Sequence, residues 1–343
     1  RAYLRRWTWE VGKFFGGVRA DSPAEDLRRI APDHPVFRLG APLTAPSGEQ
    51  VVLRHGPWEA VVIGVGGGLR ELTHDGAPVL DGFDEAEMAS GGRGQVLVPW
   101  PNRLAGGRYE WAGKRLQAPL SEPAAGNAIH GLVRWSEWTA ADRAADRVTM
   151  RLRLHPQPAY PFTLDLAMAY ALGDDGLSVT LTATNAGDAE APFGAGFHPY
   201  ITAGTSLVDE AVLTVPADVW LPADDRGIPT GERRAVDGEL DLRDGRAIGG
   251  SVLDHCFTDL ARDADGRATV ALAGPSWRVR LWMDRTFGFV MVFTGDTLAP
   301  DRRRRGVAVE PMTCAADAFN SGAGLVALPP GGSLSGSWGI GLG

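Results

Sequence analysis

Between Leu164 and Ala183, hydrophobic residues recur at every second position on both sides of a turn, and this pattern limits the fold more than any other. Leu164, Leu166, Met168, Tyr170 and Leu172 alternate with mostly small or polar residues. After Asp175-Gly176, Leu177, Val179, Leu181 and Ala183 alternate with Ser178, Thr180, Thr182 and Thr184. Residues two apart share one face of a strand, so each arm buries one face and the two arms predict a hairpin. Met150, Leu152 and Leu154 repeat the period, and further hairpins are expected around Asp75-Gly76 and Ala112-Gly113. Trp277–Met283 and Phe287–Thr294 read as a later pair. No stripe at helical spacing follows residue 50. The 45 Gly and 24 Pro, with 22% charged residues, suit many tight turns, and 44% hydrophobic content supports a large core. The expected fold is all-β, a large antiparallel sandwich filling residues 47–343 as one domain.

Composition removes several functional classes. The net charge is −8, and no strongly basic face suggests nucleic-acid binding. No apolar run reaches the roughly 18 residues of a membrane-spanning helix. Cys256 and Cys314 are the only cysteines, too few for a disulfide framework and in keeping with a reducing cytoplasm. Residues 1–46 read as an N-terminal extension and linker. Arg1 to Phe15 is basic and aromatic without a signal-peptide core, although a membrane-surface helix also fits. Ser22-Pro23-Ala24-Glu25 forms a capping box for a short helix to about Ile30, and a proline-rich linker follows. Gly64-Val65-Gly66-Gly67-Gly68 has no helix after it, which argues against a nucleotide loop.

Five polar clusters punctuate the strands. Val307-Ala308-Val309-Glu310-Pro311-Met312-Thr313 places an acid at the end of an apolar run, and Pro311 is expected to stop pairing there. A carboxylate among apolar neighbours either has partners or has its pKa raised, and either makes a general base near neutral pH. The plainer alternative is a strand-end Glu paired with a surface Arg. Pro99-Trp100-Pro101-Asn102-Arg103 fixes an Arg where a strand ends, ready to donate to hydroxyls or carboxylates, or to form an ion pair across a turn. His130 precedes Gly131, which permits close approach, yet it also fits a satisfied structural histidine. His198, between glycines and Pro199, has conformational control with little packing need, which suits proton transfer. Asp254 either accepts from ligand hydroxyls or caps a turn. No cluster has metal-ligand spacing, and no Gly-x-Ser-x-Gly elbow appears. Arg302-Arg303-Arg304-Arg305 reads as a solvated loop.

Taken in order, Asn102-Arg103, His130-Gly131, His198-Pro199-Tyr200, Asp254 and Glu310-Pro311-Met312-Thr313 resemble the aldose 1-epimerases, the mutarotases. The chain looks most like a bacterial branch carrying Pro-Trp-Pro-Asn-Arg and Glu-Pro-Met-Thr, over about residues 47–341. The resemblance implies a galactose-mutarotase-like β-supersandwich with an open cleft. It implies Glu310 as general base and His198 as general acid. It also implies Arg103, His130, Asp254 and Asn102 as residues that hold the sugar. Ring opening would need the acid and base on opposite sides of the C1–O5 edge. The implied partner is a small aldose, with no metal or other cofactor, in a monomer or homodimer. Pro199-Tyr200 replaces the Ser-Tyr usual in galactose-type members, and the branch includes proteins thought to act on a sulfonated glucose. Trp100, Trp135, Trp282 and Phe257 could stack on a sugar, although large aromatics in β proteins mostly fill the core. The alternatives are a non-catalytic sugar-binding module, a hexose-6-phosphate epimerase-like enzyme, or a glycoside hydrolase using Glu310 and Asp254.

Overall fold

The computed structural model of the chain describes residues 45–343, Ser276 excepted. The expected capping box, the helix to Ile30 and most of the linker lie outside the described residues. Two large antiparallel sheets carry the fold. The nine-stranded sheet runs Thr139–Ala141, Arg147–Leu154, Leu164–Gly173, Gly176–Asn185, Ser333–Leu342, Arg278–Met283, Ala268–Ala273, Val212–Thr214 and Arg246–Ala247. The eight-stranded sheet runs Arg234–Ala235, Ala217–Leu221, Asp254–Leu260, Phe289–Phe293, Val307–Met312, Gly196–Phe197 and Val96–Leu97, with Tyr200–Ile201 also paired to Val307–Met312. The sheets meet through inward residues. Phe197 of the second lies 5.1 Å from Trp338 of the first and 5.9 Å from Phe287, ring centroid to ring centroid. A four-stranded sheet from Gln50 to Pro78 and three two-stranded ribbons complete the body. Among the described residues the one α-helix is Ala318–Ser321.

The alternating segments become strands because one face meets the core. Leu164, Leu166, Met168, Tyr170 and Leu172 are all buried, while Asp165, Ala167, Ala169 and Ala171 are partly or fully exposed. The hairpin forms, but Gly173 pairs with Gly176, so the two-residue loop is Asp174-Asp175, one residue earlier than expected. The turns at Asp75-Gly76 and Ala112-Gly113 fall where expected, with positive φ at both residues of each, as tight hairpins require. The expected pair of Trp277–Met283 with Phe287–Thr294 does not form. Arg278–Met283 pairs with Ala268–Ala273 and Ser333–Leu342, whereas Phe289–Phe293 pairs with Asp254–Leu260 and Val307–Met312 in the other sheet. Four of the five residues of Phe289–Phe293 are buried, which demands a central strand, and the chain changes sheet at Asp284–Gly288.

Pro311 does not end pairing either. Val307–Met312 is a six-residue strand with Pro311 opposite Val290. The N–H groups of Val309 and Thr313 donate to Pro199 and Ala195, so the ladder loses only the rung at Pro311. On the other edge, Gly196 pairs with Met312 and Tyr200 with Ala308. That register sets His198 directly across from Glu310. Along the same row, Glu310 faces Met291 and Met291 faces Cys256. Val307, Val309, Val290 and Val292 point the other way, into the main core. The period of two therefore delivers one polar face, and the site lies on it.

Candidate functional site

A cleft of about 260 Å3 opens on that face, lined by Glu310, His198, His130, Arg103, Asn102 and Asp254 among others. All six residues expected from the sequence thus come together. At its floor His198 Nε2 lies 3.3 Å from Glu310 Oε1, with His198 5% and Glu310 2% exposed. The two are neighbours in the sheet, so the expectation that they sit on opposite sides of a sugar edge is corrected. Cross-strand register places them side by side. Burial raises Glu310 well above the usual carboxylate range, and the nearby Asp254 charge adds to this while Arg103 opposes it. Burial also lowers His198 to about 3, with Arg93 and Arg134 discouraging further positive charge. Both directions follow from desolvation, which disfavours charge on either group. Burial therefore favours the uncharged form of both, a protonated carboxyl beside a neutral imidazole. Glu310 Oε2 and His198 Nδ1 are buried without a partner among the described residues. Such atoms are costly when left unpaired.

The surrounding groups are fixed by hydrogen bonds. His130 Nδ1 accepts from the Asn102 N–H at 3.2 Å, and the His130 N–H donates to the Asn102 carbonyl. Burial first, then the charges of His198, Arg134 and Arg103, holds His130 well below the usual histidine value. It is therefore neutral, and accepting at Nδ1 puts its proton on Nε2, making that nitrogen a donor. His130 and His198 meet edge to face at 5.3 Å. Asn102 and His130 both have positive φ, 53° and 64°, a strained backbone concentrated at the site. The Asn102 Oδ1 accepts from the Arg103 N–H at 2.8 Å. Arg103 makes a bidentate pair with Glu122, 2.8 and 2.9 Å, which orients its guanidinium and leaves Nη1 without a partner among the described residues. Asp254 begins its strand at the cleft mouth, and burial raises its pKa. Its side chain forms no ion pair among the described residues, and it does not cap a turn.

Behind His198 stands a buried support. Tyr200 stacks on the imidazole, centroids 5.0 Å apart and planes 19° apart, and its hydroxyl donates to the Gly91 carbonyl. Arg93 lies 4.4 Å from the Tyr200 ring centroid and donates twice to Asp81 at 2.7 and 3.1 Å. Gly92 touches the imidazole closely enough that a Cβ there would overlap it. Sequence reasoning missed Glu122, Arg93 and Gly92, and it gave Arg134, which lines the cleft, no role. The run Ser90-Gly91-Gly92-Arg93-Gly94 was the available signal for two of them.

Other expectations change. Arg302 and Arg304 are not solvated, their side chains being 17% and 12% exposed. Arg304 clamps Asp209, Asp296 and two carbonyls, and Arg302 binds Glu87 and the Gly82 carbonyl. Trp100 and Phe257 are core, and Trp282 lies beneath Arg267 on the nine-stranded sheet. Trp135 is 52% exposed and packs near Arg134. Cys256 and Cys314 are free and buried. Among the described residues, no three His, Cys, Asp or Glu side chains cluster as metal ligands would. No helix among them is long and apolar enough to cross a membrane.

The stacked antiparallel sheets give the chain a galactose-mutarotase-like fold. The family model for aldose 1-epimerases matches residues 49–340. The chain belongs to the aldose 1-epimerase family. It is 34% identical over 286 residues to the uncharacterised protein YihR of Escherichia coli (strain K12), covering 83% of this chain and 90% of that one. Its fold is similar to that of a galactose mutarotase-like protein from Clostridium acetobutylicum, with TM-score 0.77, 22% identity, and coverage of 86% and 95% of the two chains. A putative aldose 1-epimerase of Escherichia coli K12 is similar at TM-score 0.74 and 22% identity, over 86% of this chain and 99% of that one.

Proposed function

We propose that the chain interconverts the α and β anomers of a free aldose by acid–base ring opening and closure. The observation that carries this reading is the buried His198–Glu310 pair, 3.3 Å apart at the floor of a polar cleft. O1 and O5 of an aldose are both bonded to C1, so two adjacent side chains can reach them from one side. A sugar hydroxyl supplies the partner that Glu310 Oε2 lacks and favours charge on Glu310 with the proton on His198. Glu310 takes the proton from O1–H, the C1–O5 bond breaks as C1=O1 forms, and His198 delivers its proton to O5. The open-chain aldehyde rotates about C1–C2. Closure runs the same transfers backwards: O5 attacks C1, its proton returns to His198, and Glu310 protonates O1. The pair finishes as it began. Each proton transfer of this type contributes about 10² to 10⁴-fold.

Arg103, Asn102, His130 and Asp254 hold the ring. Arg103 Nη1 and His130 Nε2 donate, while the Asp254 carboxylate accepts. Their contribution is orientation, which keeps C1 against the pair. Arg134 lines the same cleft and has no carboxylate partner among the described residues. This is a reason to include an anionic aldose among the substrates tried. The arginines at 302 to 305 give no support to a phosphate site, because Arg302, Arg304 and Arg305 already face Glu87, Asp209, Asp296 and Asp81. The test is polarimetry of freshly dissolved α-glucose, α-galactose and sulfoquinovose with wild type and Glu310→Gln. Acceleration by wild type alone with at least one sugar supports the reading, and equal rates for both proteins reject Glu310 as the base.

A further inference from the structure

The loop that follows strand Ala217–Leu221 folds back on itself and lies against Arg103. Its own hydrogen bonds make it compact. Asp224 Oδ1 accepts from the N–H groups of Arg226 and Ile228, both at 2.9 Å, and the Asp224 N–H donates to the Ile228 carbonyl. Gly227 closes the turn at φ 73°. A Cβ there would overlap Nη1 and Cζ of Arg103, so only glycine lets the loop backbone pack this closely on the guanidinium. Glu122 takes Nε and Nη2 of the same group. One partner therefore fixes two donors of Arg103, and the other covers Nη1 without accepting from it.

Arg226 ties this loop to the turn that carries Glu122. Its Nε donates to the Ala125 carbonyl at 2.9 Å, and its Nη2 donates to the Gly126 carbonyl at 3.1 Å and to Asn127 Oδ1 at 3.0 Å. Three acceptors on one short turn suit the planar fork of an arginine. Asn127 is fully buried and answers: its Nδ2 donates to the Arg226 carbonyl at 2.8 Å and lies 3.5 Å from Glu122 Oε2. Among the described residues, every hydrogen bond between the two loops has Arg226 as a partner. Without its side chain, Asn127 Oδ1 is buried with no partner among them, a costly state that the turn escapes by moving. Arg226, Gly227 and Asn127 do not border the chamber that holds Glu310 and His198, so any effect on a sugar there passes through Arg103. We infer that Arg226 is a positioning residue for sugar binding: it latches the two loops together and so keeps Glu122 and Gly227 around Arg103, with Nη1 left free to donate. The inference rests on the aldose reading of the cleft.

The test has two arms. Amide hydrogen exchange of residues 122–127, followed by mass spectrometry in wild type and Arg226→Ala, needs no sugar. Exchange about tenfold faster in the variant is expected, and unchanged exchange would overturn the latch whether or not the protein is a mutarotase. The second arm is a double-mutant cycle on polarimetric rates, using whichever of α-glucose, α-galactose and sulfoquinovose wild type turns over fastest. Arg226→Ala should raise KM about tenfold and lower kcat by no more than about twofold, the split expected of lost sugar binding. Gly227→Ala leaves the latch in place but presses on Arg103 directly, and it should raise KM as well. In an Arg103→Ala background neither change should raise KM further. A KM rise that survives in that background would overturn the inference, as would an unchanged KM in Arg226→Ala. Absence of turnover by wild type with every aldose would overturn the aldose reading, and with it the role in sugar binding, while the exchange arm still decides the latch.

Discussion

At the scale of single residues, the proposed reaction turns on proton transfer by Glu310 and His198. Glu310→Gln cannot accept a proton and should lose at least about 10²-fold in kcat with the fold intact. His198→Asn should also cut kcat strongly, and near-normal turnover would remove His198 from the acid role. The kcat/KM profile, which reports the free enzyme, should be bell-shaped. Activity falls on the acid side as His198 gains a second proton for the pair, toward about pH 3, and on the alkaline side as Glu310 loses its raised proton. Gly92→Ala gives a test independent of acid–base chemistry. The new methyl would overlap the imidazole and displace it, at a cost of about 10²-fold in kcat. Arg103→Ala should mainly raise KM, and an unchanged KM would make the Arg103–Glu122 pair purely structural.

Strands and their loops decide which of these residues the sequence could reveal. Glu310 and His198 were legible because each breaks a local rule: an acid inside an apolar strand, and a histidine between glycine and proline where packing asks for nothing. The long hairpin was legible because its alternation is continuous. Pairings between distant segments were not. Glu122 meets Arg103 only through the ribbon of Arg103–Ala105 with Asn127–Ile129, and no periodicity announces that pairing. Phe289–Phe293 was assigned the wrong neighbour because a run buried on both faces carries no record of which sheet it joins. Arg93 and Asp81 form a buried ion pair that no local pattern shows. Arg93→Met leaves Asp81 buried with only Arg305 nearby, at 3.4 Å. The expected loss is about 3 kcal/mol, toward the lower end for a broken buried pair, read as a lowered urea midpoint. An unchanged midpoint would show that the pair adds nothing to the support behind Tyr200 and His198.

For the whole molecule, the same burial links the site to stability. His198 binds a proton less readily folded than unfolded, since its value drops from 6.5 to about 3. The unfolded chain therefore holds more protons there between these two values, and the associated stability, complete above about pH 6.5, is lost as pH falls through that window. His198→Asn should be less sensitive to acid across the same range in thermal melts; an identical pH dependence would contradict the buried neutral imidazole. The family match begins at residue 49, so removal of residues 1–43 is expected to leave turnover intact, and a product unable to fold would make that segment part of the domain. The most direct test of the central claim remains the optical rotation of fresh α-aldoses, including a sulfonated one, followed with wild type and Glu310→Gln side by side. Wild type is expected to speed the approach to anomeric equilibrium for at least one sugar, and Glu310→Gln is expected not to. A variant as fast as wild type would contradict the claim.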